Sequence, residues 1–153
     1  MTALEVGQQA PDFQAKNQAG EQVSLAVWKG KKIILYFYPK DNTPGCTTEA
    51  CNFRDNYQAL KKDGFEVIGV SVDGEASHQK FISKHELPFQ LLTDEAHEIV
   101  EKYGVWVEKN MYGKKYMGTA RTTFIIDEAG IIQHIIKKVD NKNATQQIRD
   151  LIA

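Results

Sequence analysis

Apolar residues in this chain occur either as short unbroken runs or at helical spacing, and the two patterns alternate. Residues 33–38 (IILYFY) form an unbroken run between a Lys- and Gly-rich stretch and Pro39, which predicts a strand buried on both faces. Residues 65–72 (FEVIGVSV) repeat that pattern, and a shorter strand is expected at 89–92. Residues 46–62 read as a helix followed by Gly64, with Cys46, Ala50, Phe53, Tyr57 and Leu60 on one stripe. A second helix is predicted over 77–86, with Phe81 and Ile82 inward and a stop before Pro88. A third, over 95–103, has Asp94 as N-cap and Gly104 as its end. The polar turn at 17–20 (NQAG) predicts a peripheral N-terminal hairpin, and Glu128-Ala129-Gly130 joins strands at 122–127 and 131–137 in another. From Ala144 onward the tail places Ile148, Leu151 and Ile152 on one helical face.

The resulting order, β-α-β-α-β-α-β-β-α, predicts an α/β fold: a mixed central sheet with helices on both faces and an N-terminal hairpin. It is compatible with a thioredoxin-like core carrying an inserted strand and helix. No repeat, low-complexity tract or linker interrupts the chain, so residues 1–153 are expected to form one domain. With 19 Lys and Arg against 20 Asp and Glu, the net charge of -1 gives no electrostatic footprint for nucleic acid or an anionic membrane. The longest apolar run is six residues, far short of a membrane span. The N-terminus lacks the basic and apolar regions of a secretory signal, so a cytoplasmic location is expected.

The two cysteines, Cys46 and Cys51, are the unusual element. They are too few for a four-thiolate metal site, and His78, His85, His97 and His134 stand at no ligand spacing from either. Cys46 falls in the first turn of its helix, after a loop leaving the carboxyl end of a buried strand, where α/β sheets bind ligands. Unpaired N–H groups and the positive end of the helix dipole favour a thiolate there. The competing reading is a buried apolar cysteine on the stripe described above. Cys51 lies five residues on, about 140° around the helix, with the two Cα atoms roughly 8–9 Å apart. A disulfide needs about 7 Å or less. Either Cys51 is an unrelated thiol, or the first helical turn unwinds when a bridge forms.

The segment PKDNTPGCTTEACNFRD, with YGKKYMGTARTTFIID downstream, resembles the bacterioferritin-comigratory, or Q-type, branch of the peroxiredoxins. VGQQAPDF near the N-terminus and VIGVSVD at 67–73 match the same family in order and spacing, so the resemblance covers nearly the whole chain. Its P-x-x-x-T-x-x-C motif and the second cysteine five residues later are specific features. A thioredoxin-type disulfide reductase is disfavoured because C-x-x-C is absent and none of the four prolines (11, 39, 44, 88) stands directly before the strand at Thr122. The segment around Thr119-Ala120 is more polar than the aliphatic residues usual there, a neutral departure.

The resemblance implies thiol-dependent reduction of hydrogen peroxide and organic hydroperoxides without cofactor or metal, in a monomer. Cys46 would be the peroxidatic nucleophile, Cys51 the resolving thiol, and a thioredoxin or glutaredoxin-like dithiol the reductant. Lowering the pKa of a thiol from about 8.5 to about 6 gains roughly thirtyfold in thiolate, but the accompanying fall in nucleophilicity returns roughly tenfold of that. Groups that polarise the O–O bond are therefore required. The family pattern offers the Thr43 hydroxyl, the Arg121 guanidinium and the N–H groups of Gly45 and Cys46, with Pro44 shielding the sulfur. Glu49 would orient Arg121, although an ordinary first-turn acid is its simpler reading. Trp106 and Met117 would line the pocket mouth or simply pack. A redox sensor that keeps the same site, and an interaction domain with vestigial cysteines, are the competing functional classes.

Overall fold

The computed structural model describes residues 2–153. Strands β1 (Gln14–Asn17) and β2 (Gln22–Ser24) make the expected N-terminal hairpin, followed by a 3-10 turn at Leu25–Trp28. Then come β3 (Lys32–Phe37), α1 (Pro44–Lys62), β4 (Phe65–Ser71), α2 (Glu75–His85), β5 (Gln90–Thr93) and α3 (Glu98–Lys102). A second hairpin, β6 (Trp106–Met111) and β7 (Lys114–Thr119), precedes β8 (Thr122–Ile126), β9 (Ile132–Ile136) and α4 (Ala144–Ile152).

Seven strands form one sheet in the order β2-β1-β5-β4-β3-β8-β9. The central β3, β4 and β5 run parallel, while β8 and β9 on one side and β1 and β2 on the other pair antiparallel. The period of two along β3 sorts its side chains between two cores. Ile34, Tyr36 and Tyr38 face α1, α2 and α4, packing with Ala50, Phe53, Leu60, Phe81 and Ile148. Ile33, Leu35 and Phe37 face the opposite layer, with Ile99, Val100 and Tyr103 from the α3 region and Trp28. Both faces are covered, which is why β3 reads as a continuous apolar run. This is the thioredoxin-like arrangement expected from the element order. Gly69 is required beneath α1: a Cβ there would lie 2.9 Å from the Tyr36 ring and 2.7 Å from Leu91.

Several expectations are corrected. Helix α1 begins at Pro44, two residues early, because proline suits the first helical position, where no N–H is needed. Helix α3 is shorter than predicted because His97, with φ 61°, lies outside the helical region. Asp94 still serves its start, accepting from the N–H groups of Ile99 (3.1 Å) and Val100 (2.9 Å). Of the two α2 residues expected inward, Phe81 is fully buried and Ile82 is half-buried at the rim. In α4 Ile148 is buried, yet Leu151 (46% exposed) and Ile152 (39%) are not. They border an open depression with Lys32 and Phe65, where the helix runs out over the end of the sheet. The β6–β7 hairpin escaped the sequence reading because its positions are mostly exposed and lack an apolar alternation. Its turn is Tyr112-Gly113, both at positive φ (53° and 80°), as a two-residue type I′ connection requires. Among the described residues no helix is long and apolar enough to cross a membrane.

This packing predicts unequal costs along α4. In urea unfolding, Ile148→Ala should lose about 2–5 kcal/mol, as for other buried isoleucines, whereas Leu151→Ala should lose under about 1 kcal/mol.

Candidate active site

The site forms where β3 and β8 run side by side. Their register pairs Phe37 with Thr122, so the loop leaving β3 and the residue entering β8 emerge at one edge. That loop is 38–43 and that residue is Arg121. Tyr38 extends the ladder by donating to the Val70 carbonyl (3.1 Å), after which Asn42, at φ 60°, turns the chain into α1. Thr43 is the N-cap residue in extended conformation (φ -90°, ψ 153°), and its carbonyl accepts the first helical N–H, from Thr47 (2.8 Å). The N–H groups of Gly45 and Cys46 precede that bond and stay available to a ligand. The Thr43 hydroxyl donates to the Lys40 carbonyl (2.8 Å), and its oxygen remains an acceptor.

Cys46 is 1% exposed and does sit on the apolar stripe of α1. It is also bonded: Arg121 Nη2 donates to its Sγ at 3.2 Å. The other arm of the same guanidinium, Nη1, donates to Glu49 Oε1 at 2.8 Å. Glu49 is completely buried and lies beyond the first turn of a helix that starts at Pro44, which corrects its simpler reading as an ordinary first-turn acid, and its Oε2 has no partner. Burial pushes its carboxyl up to about 7, against the opposing pull of Arg121. Burial works against the Arg121 charge, but Cys46 and Glu49 beside it hold it above the ordinary arginine value. Ala120, whose N–H donates to the Val105 carbonyl (2.7 Å), anchors the strand entry that carries the arginine.

Gly45 is glycine for a reason of space. A Cβ there would lie 3.2 Å from Arg121 Nη2 and 3.0 Å from Asn141 Nδ2. Pro44 is exposed at the first helical position, two residues before the thiol. Asn141, in the 3-10 turn before α4, was missed by the sequence reading, where it is one polar residue in a polar stretch. Lys109 on β6 was missed too; burial lowers its ammonium, the Arg121 charge adds to that, and Cys46 opposes it. Its stem lies across Gly118, where a Cβ would come within 3.1 Å. Trp106 packs against the core and the His97 ring (centroids 4.3 Å apart), and Met117 is 50% exposed on the hairpin. Cys51 is half-buried and, like Cys46, a free thiol. Helix α1 is continuous across both, so the separation of roughly 8–9 Å expected from helical geometry holds. Asn52 ties the helix beyond Cys51 to the C-terminal segment, donating to the Lys142 carbonyl and accepting from the Thr145 N–H, each at 2.9 Å.

A thioredoxin-like fold with a buried thiol at a helix start, bonded to an arginine, defines a class: the thiol-dependent peroxidases. The sequence profile of the AhpC/TSA family matches residues 6–135. The chain belongs to that family, in its bacterioferritin-comigratory or Q-type peroxiredoxin branch, and is a peroxidase. It is 54% identical over 137 residues to a putative peroxiredoxin of Coxiella burnetii, covering 90% of this chain and 91% of that protein. It is 47% identical over 152 residues to a Bacillus subtilis peroxiredoxin of the same type, covering 97% of each. A solved bacterioferritin comigratory protein from Xanthomonas campestris, described for its alkyl peroxide reduction activity, superposes with a TM-score of 0.86. The two are 31% identical, over 99% of this chain and 98% of that one.

The burial of Glu49 predicts a pH dependence. Its folded value of about 7 lies above the ordinary 4.5, so the fold binds the proton more tightly than the unfolded chain does. Stability therefore falls as pH rises from about 4.5 to about 7, by at most about 3 kcal/mol. Urea unfolding of wild type and Glu49→Gln across pH 5–8 should show this slope in wild type alone.

Proposed function

We propose that the chain reduces hydrogen peroxide and organic hydroperoxides through a sulfenic acid on Cys46, resolved by Cys51 and recycled by a thioredoxin-type dithiol. The observation that carries this reading is the Arg121 fork, with one arm on Cys46 Sγ (3.2 Å) and the other on a buried carboxylate (2.8 Å). The flat guanidinium has five donors and no acceptor, so it can serve sulfur and a peroxide oxygen together.

The Cys46 thiolate attacks the near oxygen of the hydroperoxide in line with the O–O bond. An S–O bond forms, the O–O bond breaks, and the electron pair leaves with the far oxygen. Protonation of that oxygen gives water or an alcohol, and Cys46 is oxidised by two electrons to the sulfenic acid. Arg121 and the N–H groups of Gly45 and Cys46 stabilise the charge moving between the oxygens. The Thr43 oxygen, its own proton directed at Lys40, accepts the hydroperoxide O–H and orients the substrate. Pro44 keeps bulk water from the sulfur.

The Cys51 thiol then condenses with the sulfenic acid, forming the S–S bond and releasing water. With the Cα atoms roughly 8–9 Å apart in an intact helix, residues 46–51 must unwind first. Unwinding withdraws Glu49 from Arg121 and exposes it. The reductant's dithiol exchanges with the disulfide, supplying the two electrons and leaving as its own disulfide.

In a coupled assay with thioredoxin and its reductase, wild type should consume both hydrogen peroxide and an alkyl hydroperoxide; no turnover with either overturns the reading. Cys46→Ser should form no sulfenate, and Cys51→Ser should form it but fail to recycle. Arg121→Ala should lower the rate of Cys46 oxidation by about 100- to 1,000-fold, the cost typical of a lost charge-stabilising donor. Amide exchange at 46–51 should rise after oxidation, and unchanged protection there contradicts the unwinding step.

A further inference from the structure

His78, on α2, plays no part in the chemistry above, yet it is completely buried and both of its ring nitrogens are engaged. Nδ1 lies 2.7 Å from Asp41 Oδ2, and Nε2 lies 2.9 Å from the Leu92 carbonyl of β5. Asp41 is one residue before the left-handed Asn42 and two before Thr43. Its carboxylate also accepts the Tyr38 hydroxyl at Oδ1 (2.6 Å) and the Ser77 hydroxyl at Oδ2 (2.8 Å). Its own N–H donates to Asp73 Oδ2 (2.8 Å), which Ser71 also holds (2.8 Å). Tyr38, just past β3, and Ser77 and His78 of α2 thus converge on one side chain in the bend that delivers the thiol, while Ser71 of β4 holds Asp73 against the Asp41 N–H and Leu92 of β5 holds the far side of the His78 ring.

Thr43, the N-cap residue of α1, ends this bend. The Thr43 hydroxyl closes it by bonding Lys40, the residue before Asp41. Burying a carboxylate and an imidazole together is costly unless their polar atoms find partners, and here both carboxylate oxygens and both ring nitrogens lie within hydrogen-bond distance of one. The ordering falls on a loop, where the chain would otherwise be mobile.

We propose that His78 is a positioning residue for peroxide reduction: by holding Asp41 it fixes the bend 40–43 and so the place of the Thr43 oxygen against Cys46. The proposal rests on the peroxidase reading and adds to it a residue remote from the sulfur. Because the effect runs through the peroxide cradle, it separates two reactions of the same thiol. Oxidation by hydrogen peroxide needs Thr43 in place, whereas alkylation by iodoacetamide needs only an accessible, ionised sulfur.

The test measures both second-order rate constants in the full chain, reading the Cys46 peptide by mass spectrometry. His78→Leu should slow oxidation by about 10- to 100-fold, the effect of a misplaced group of about 1 Å, and leave alkylation within about threefold. His78→Asn, whose amide can donate to Asp41 where Nδ1 did, should recover most of the oxidation rate. Unchanged oxidation in His78→Leu, a parallel fall in both rates, or an asparagine variant no better than the leucine one overturns the proposal. Should His78→Leu fail to fold, Ser77→Ala removes a single donor to Asp41, and the proposal then requires oxidation to slow by at least about threefold with alkylation unchanged. A wild-type chain that forms no sulfenate defeats the peroxidase reading itself, whereas normal wild-type oxidation with no effect of either variant defeats only the role of His78.

Discussion

The site depends on one guanidinium held between two acceptors in a place water hardly reaches. Arg121 joins Cys46 and Glu49 at 3.2 and 2.8 Å, and each contact requires the other. Without Glu49 the arginine fork loses the partner that sets its plane. Without Arg121 the chain would bury an uncompensated carboxylate, among the costlier defects a fold can carry. Even with the pair intact, Glu49 is pushed up to about 7 and one of its oxygens is unpartnered. The pair also joins distant parts of the sequence: α1 follows β3, Arg121 precedes β8, and the Phe37–Thr122 register brings them to the same edge.

A second tension is built into α1. The helix that presents Cys46 with open N–H groups in front of it also holds Cys51 too far round to bond with it. In the proposed cycle, the geometry suited to attack is therefore wrong for resolution, and the first two turns must alternate between two states. The contacts that resist unwinding are few and identifiable. Arg121 grips the start through Glu49, and Asn52 pins the helix to the segment before α4. A wholly rigid site would keep its oxidised sulfur, while a looser one would lose the fork.

Much of the fold was legible because the strong strands are buried on both faces and the long helix carries a clean stripe. The central strands at 33–38 and 65–72, the long helix and both predicted hairpins fall within one or two residues of the observed elements. What was illegible has physical causes. The β6–β7 hairpin is exposed and polar, so no apolar period marks it. Leu151 and Ile152 share a helical face with Ile148 but extend over the edge of the sheet, which periodicity does not register. At the site, the motif marked Thr43, Pro44, Gly45 and Cys46, and the family pattern marked Arg121. Asn141 and Lys109 carry no local signal, and their nearness to the thiol side of the molecule follows from chain return alone.

By itself the sequence determined the alternation of strands and helices, the family, and two thiols five residues apart on one helix. These follow from periodicity and covalent spacing, which are local. Tertiary structure decided what those groups meet. It turned Glu49 from a plausible first-turn acid into a buried one, directed the Thr43 proton to Lys40, and placed His78 behind the loop between Asp41 and the Leu92 carbonyl. Burial and hydrogen-bond partners depend on which distant segments return to the same edge of the sheet, and strand order and register set that return.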